Sequence, residues 1–128
     1  MMENKFYICE TCGNIIQKVE DSKVPVFCCG KPMKELVPNT TEAAFEKHLP
    51  VVTIDGNQVK VVVGSVEHPM TEAHLISWIV LETKKSWYRK HLNHTDKPEA
   101  VFTLEDGDEA VAAYEYCNLH GFWKTEIK

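Results

Sequence analysis

The sequence predicts a mainly β chain in two parts: a small metal-stapled domain over residues 1–37 and an all-β sandwich over residues 38–128. Three observations predict it. Four of the five cysteines fall within the first 29 residues, beside glycines and few large apolar groups. Pro38, Asn39, Thr40 and Thr41 then mark a boundary. Beyond them, short apolar runs alternate with turn signals at the spacing of a sandwich.

In the first part, Cys9-x2-Cys12-Gly13 reads as a metal knuckle. Two thiolates sit on one tight turn, and the glycine frees amide N–H groups to point at sulfur. Fifteen residues separate Cys12 from the adjacent pair Cys28-Cys29, again followed by a glycine, Gly30. Adjacent cysteines reach one ion only where the backbone bends sharply, so a distorted tetrahedron is expected. Four thiolates suit zinc or iron, and spacing alone leaves the two equally open. A disulfide pair is an alternative, and a thioredoxin-type redox site lacks its βαβ surroundings. A segment of about 35 residues with so little apolar bulk needs a staple to fold.

In the second part, "QVKVVVGSV" sets Val59, Val61 and Val63 against Lys60 and Val62, the alternation of a strand. "AHLISWIVLET" is an apolar run rich in branched residues, and "AVFTL" and "EAVAAYEYC" are two more strands. Turn signals separate them at Asp55-Gly56-Asn57, Glu67-His68-Pro69, His94-Thr95-Asp96-Lys97-Pro98 and Asp106-Gly107-Asp108. "TKKSWYRK" reads as a strand with a solvated basic face. "TTEAAFEKHL" holds a helical turn.

Composition narrows the class. Hydrophobic residues make up 44% of the 128 and charged residues 26%, which is globular. No apolar run approaches the roughly 20 residues of a spanning helix. The N-terminus "MMENKFYICE" has no apolar core or cleavage pattern, so a cytoplasmic protein is expected. A net charge of -5 argues against nucleic acid as a partner. Five cysteines without an export signal favour metal or redox chemistry over a disulfide framework.

The fifth cysteine, Cys117, stands apart in "EYCNLHGFW", with His120 three residues on. That spacing lets both reach one ion from a tight turn. His48, His68, His74, His91 and His94 complete the histidines. A mixed histidine and cysteine site suits zinc, copper or iron. Composition does not say which histidines are ligands, and "HLNH" (His91 to His94) has ligand-like spacing too.

The whole chain resembles desulfoferrodoxin, the two-iron superoxide reductase family. Cys9-x2-Cys12 with Cys28-Cys29 is similar to that family's N-terminal desulforedoxin-type site. "EKHLP", "EHPMTEAHLISWI" and "CNLHGFW" resemble, in order, the three segments that build its catalytic iron site.

The resemblance implies a rubredoxin- or desulforedoxin-like metal domain followed by an immunoglobulin-like sandwich. It implies two irons per chain. Cys9, Cys12, Cys28 and Cys29 would hold the first in a distorted tetrahedron. His48, His68, His74 and His120 would hold the second in a plane, with Cys117 as axial ligand. Glu46 and Lys47 would sit beside an open sixth position. Lys47 would attract superoxide, and Glu46 would be a resting-state ligand of the ferric ion. His91 and His94 match no family ligand. The implied activity is one-electron reduction of superoxide to hydrogen peroxide, with a rubredoxin-type electron donor and a homodimer. A non-catalytic iron electron-transfer protein and a zinc-stapled interaction module are the other readings.

Overall fold

The computed structural model describes residues 5–127, and the chain divides into two compact units at Val37 and Pro38. The first unit holds five short strands: β1 (Phe6–Ile8), β2 (Ile15–Gln17), β3 (Phe27–Cys28), β4 (Lys31–Pro32) and β5 (Lys34–Glu35). They form an antiparallel sheet in the order β2-β1-β5 and a separate β3-β4 ribbon. Among the described residues of this unit, Phe6, Cys9 and Met33 alone are buried. So small an apolar core does not offset the chain's conformational entropy without a cross-link.

The second unit opens with one helical turn, α1 (Phe45–His48). Seven strands follow: β6 (Pro50–Asp55), β7 (Gln58–Val63), β8 (Ile76–Thr83), β9 (Trp87–His91), β10 (Glu99–Thr103), β11 (Ala110–Cys117) and β12 (Gly121–Glu126). They make two antiparallel sheets, β10-β7-β6 and β12-β11-β8-β9. This is the sandwich the alternating runs predict. Val59, Val61 and Val63 face the core from β7, and Ala100 and Phe102 add to it from β10. Ile76, Ile79 and Leu81 of β8 and Ala113 and Cys117 of β11 meet them from the other sheet. β9 keeps Arg89, Lys90 and His91 exposed, so the basic stretch is a solvated strand.

Two strands lie outside the apolar runs singled out in the sequence. β6 is an edge strand with mostly exposed residues, and β12 mixes charged and apolar positions. The helical turn is confined to four residues. Ala44 at its N-cap makes no side-chain cap bond, and Leu49 is extended, as a residue before proline prefers. Among the described residues, no helix is long and apolar enough to cross a membrane.

One end of the sandwich gathers α1, the loop between β7 and β8, and the turn between β11 and β12. Gly64, with φ of 84°, ends β7 there. A Cβ on Gly64 would lie 2.4 Å from the Glu46 carbonyl oxygen and 2.7 Å from the Lys47 Cα. The missing side chain is therefore what lets α1 rest against this turn. Across the second sheet, β11 slips register against β8 between Tyr116 and Cys117, a bulge that re-aims the last residue of the strand.

Candidate metal centres

The first group is built by two tight turns. Gly13 N–H donates to the Cys9 carbonyl, and Cys9 N–H donates to the Asn14 carbonyl, each at 2.8 Å. The second turn joins β3 to β4. Cys28 pairs with Lys31, and Cys29 and Gly30 between them have φ of 53° and 75°. Positive φ at both central residues is the geometry of a two-residue hairpin turn, and it supplies the sharp bend that adjacent ligands need.

The sulfurs of Cys9, Cys12, Cys28 and Cys29 lie within 4.8 Å of one another, with Cys12 and Cys28 at 3.6 Å. Sulfurs held about 2.3 Å from one ion in a tetrahedron are about 3.8 Å apart. Crowding of the thiols also shifts their acidities. The Cys12 backbone N–H pulls the Cys9 thiol down to about 6. The Cys12 thiol pushes Cys28 up, and pushes Cys29 up to about 12. One thiolate forms readily, and further negative charge in that space calls for a cation.

The second group gathers His48, His68, His74, Cys117 and His120, whose ligand atoms also lie within 4.8 Å of one another. His48 comes from α1, His68 and His74 from the loop before β8, and Cys117 and His120 from the β11–β12 turn. Two rings are fixed by carbonyls. His48 Nδ1–H donates to the Ala44 carbonyl at 2.8 Å, and His68 Nδ1–H donates to the Pro69 carbonyl at 2.7 Å. Those bonds fix the tautomer and leave Nε2 for the centre. His74 is held by its main chain, which exchanges hydrogen bonds with Thr71. Its Nε2 is buried and has no hydrogen-bond partner. His120 turns its Nδ1 inward, 3.1 Å from His48 Nε2 and 3.9 Å from Cys117 Sγ.

An ion fits this set. Two donors about 2.1 Å from one ion at a right angle are about 3 Å apart, the His48–His120 spacing. The buried His74 Nε2, without a hydrogen-bond partner, fits the role of a ligand to such an ion. Burial lowers His48 and His74 and pushes His68 down to about 4, which favours the neutral, ligating form of these three rings. Burial raises the Cys117 thiol, while the N–H groups of Leu119 and His120 pull it back. A cation completes what those N–H groups begin. Cys117 is fully buried and 3.4 Å from His68 Nε2, whereas His74 and His120 are half-buried.

Glu46 and Lys47 are exposed on α1 and belong to neither donor group. Lys47 borders a recess shared with His68, Met70 and Lys97. Glu46 borders a groove with Phe45, Val51 and Ile54. The Glu46 carbonyl accepts from Val66 N–H at 2.9 Å and from the Ser65 hydroxyl at 3.3 Å, which clamps this segment. His91 ends an exposed strand, and His94 faces the Glu72 carboxylate at 3.7 Å; neither joins the five donors.

Sequence patterns did not single out three residues around this centre. They are Gly64 under α1, Trp123 against His48, and Glu115, a fully buried carboxyl with no hydrogen-bond partner. Burial holds Glu115 well above the usual carboxylate range. Glu115 and Trp123 are near neighbours of Cys117 and His120 in sequence, but the contacts of Gly64 with α1 and of Trp123 with His48 exist only in the fold.

Comparison with known proteins decides the family. The desulfoferrodoxin model matches residues 40–126, and the model of the desulfoferrodoxin N-terminal domain matches residues 2–36. The chain belongs to the desulfoferrodoxin family. It is 49% identical to a desulfoferrodoxin of Syntrophotalea carbinolica over 120 residues, covering 94% of each. It is 45% identical to that of Nitratidesulfovibrio vulgaris over 127 residues, 98% of this chain and 99% of the relative. Among solved structures, the superoxide reductase from Treponema pallidum superposes with a TM-score of 0.82 at 38% identity. The match covers 98% of this chain and all of that one. As in a desulfoferrodoxin, the four-cysteine group and the group of four histidines and one cysteine fit two iron sites.

Proposed function

We propose that this desulfoferrodoxin is a superoxide reductase, with residues 1–37 as its first iron domain and residues 38–128 as its catalytic domain. One observation carries the reading. Four imidazoles and one buried thiol converge, their ligand atoms within 4.8 Å of one another. In the T. pallidum superoxide reductase the same fold is present.

In this reading Cys9, Cys12, Cys28 and Cys29 bind the first iron. His48, His68, His74, His120 and Cys117 bind the second. When bound and ferrous, that second iron would supply the one electron that superoxide reduction needs. Superoxide takes that electron and two protons to become hydrogen peroxide.

The chain's own residues do the rest. Imidazole ligands add no negative charge, so a divalent ion held with one thiolate would stay cationic and favour a small anion. Lys47, at the rim beside His68, draws superoxide inward and orders water that delivers protons. Glu46, on the same turn, would offer a carboxylate to the ferric ion in the resting state. Gly64 and the N–H of Val66 hold the turn that carries both.

The first site serves as a staple for a unit with almost no apolar core, and it is also a place for an electron to enter. A small rubredoxin-type protein is the donor, and the protein works in the cytoplasm. A homodimer is supported by apolar residues the first unit leaves exposed, among them Val24, Val26 and Phe27.

The test is spectroscopic. Protein carrying two irons per chain, reduced and then mixed with superoxide, is expected to oxidise first at the second iron, the one with the Cys117-dependent band. A reduced protein that ignores superoxide with both irons in place contradicts the reading.

A further inference from the structure

Three aromatic rings run from the surface to the second donor group. Phe45 is 53% exposed on α1. Its ring meets Trp123 edge-on, at a centroid distance of 5.3 Å and 77°. Trp123, fully buried on β12, then lies face to face with His48, at 5.0 Å and 24°. The same indole uses its polar edge elsewhere: Nε1–H donates to the His120 carbonyl at 3.0 Å.

We infer that Trp123 is the positioning residue that sets His48 and His120 against each other in the metal centre. The inference rests on the reading of those two histidines as ligands of one ion. A single side chain touches both, and their ring nitrogens are neighbours in the donor set.

The two contacts do different jobs. The hydrogen bond from His48 to the Ala44 carbonyl fixes where Nδ1 points but leaves the ring free to turn about that bond. A flat indole against its face removes that freedom. His120 lacks the first device. Its Nδ1 faces the centre, and its other ring nitrogen has no hydrogen-bond partner among the described residues. Its aim therefore depends on its main chain, which follows Asn118 and Leu119 into the turn closed by Gly121, φ 81°. The Trp123 N–H anchors that main chain at the His120 carbonyl.

The helix needs the same contact. One helical turn with no side-chain cap does not persist on its own. Phe45 and His48 lie three apart on one face of α1, and both rest on Trp123. The indole thus ties α1 to the β11–β12 turn, which together carry His48, Cys117 and His120.

The test uses the full iron-loaded chain in four forms: unaltered, Cys117→Ser, Trp123→Phe and Trp123→Leu. The Cys117-dependent visible band isolates the second site. Three quantities are read: that band's position, its reduction potential, and the rate at which a chelator removes its iron. Loss of an outer support weakens metal binding about 10- to 100-fold in comparable sites. Trp123→Leu is expected to lose iron faster by about that factor, with a displaced band and potential. Trp123→Phe removes the N–H and keeps a smaller aromatic ring beside His48, so it falls between.

The first-site bands stay unchanged in both. If Trp123→Leu fails to fold, Trp123→Phe decides alone. Native band, potential and iron retention in Trp123→Phe, together with unchanged values in Trp123→Leu wherever that variant folds, overturn the inference even if both variants melt earlier. A visible spectrum that Cys117→Ser leaves intact overturns the ligand reading and the inference with it.

Discussion

His48 Nε2 lies 3.1 Å from His120 Nδ1, although 72 residues separate them in the chain. One belongs to a helical turn before the first strand of the sandwich, the other to the turn before its last. Neither turn reaches the other until both sheets have formed. The second metal centre is therefore a product of the sandwich, whereas the first is a local knuckle and hairpin that the metal itself must hold together. Chelation is expected to unfold the first unit and leave the second largely folded.

Cys117→Ser is expected to abolish the sulfur-to-iron visible absorption of the second site while leaving the first site's bands. Cys117 is fully buried among imidazoles, with Sγ 3.4 Å from His68 Nε2, so no other sulfur takes its place. Visible absorption spectra of the two proteins check it.

Lys47→Ala is expected to slow the reaction with superoxide about tenfold at low ionic strength and to flatten its dependence on salt. Both irons remain, because Lys47 is outside the donor groups. Pulse radiolysis at several ionic strengths measures it, and an unchanged rate constant removes the steering role.

Gly64→Ala puts a methyl group into the space occupied by the Glu46 carbonyl and the Lys47 backbone, at a φ of 84°. A destabilisation of about 1–2 kcal/mol follows from the backbone conformation alone, and displacement of α1 adds to it. The superoxide rate is expected to fall with it while the first-site spectrum stays native. Denaturant unfolding and kinetics on the same preparation check both halves.

Glu115→Gln is expected to stabilise the metal-free protein at neutral pH by about 1–3 kcal/mol. Burial raises the folded carboxyl above its unfolded value of about 4.3. The folded state therefore keeps a proton that the unfolded state releases. Stability is full below the unfolded value and falls as pH rises through it, until the folded group also ionises. The amide removes that loss, so the difference between the two proteins grows with pH. Equal pH profiles in denaturant unfolding contradict this.

The fold was legible where side chains alternate against a core, as at Val59, Val61 and Val63. It was less legible at β6 and β12, where an edge strand and a charged strand carry no such pattern. The cysteine knuckles were readable because their ligands are neighbours in sequence. The five-donor group was not readable from spacing, since His91 and His94 looked as plausible as His120; the family resemblance singled out the five. Which nitrogen each ring offers depends on carbonyls such as those of Ala44 and Pro69, and those positions exist only in the folded chain. The same holds for Trp123 and Gly64, which act through contacts with residues far away in sequence.

The central claim is that the second site reduces superoxide without disproportionating it. Measuring hydrogen peroxide and dioxygen together, after mixing the reduced two-iron protein with superoxide, tests it most directly. Peroxide with no dioxygen is expected. Dioxygen released alongside the peroxide would mean dismutation and would contradict it.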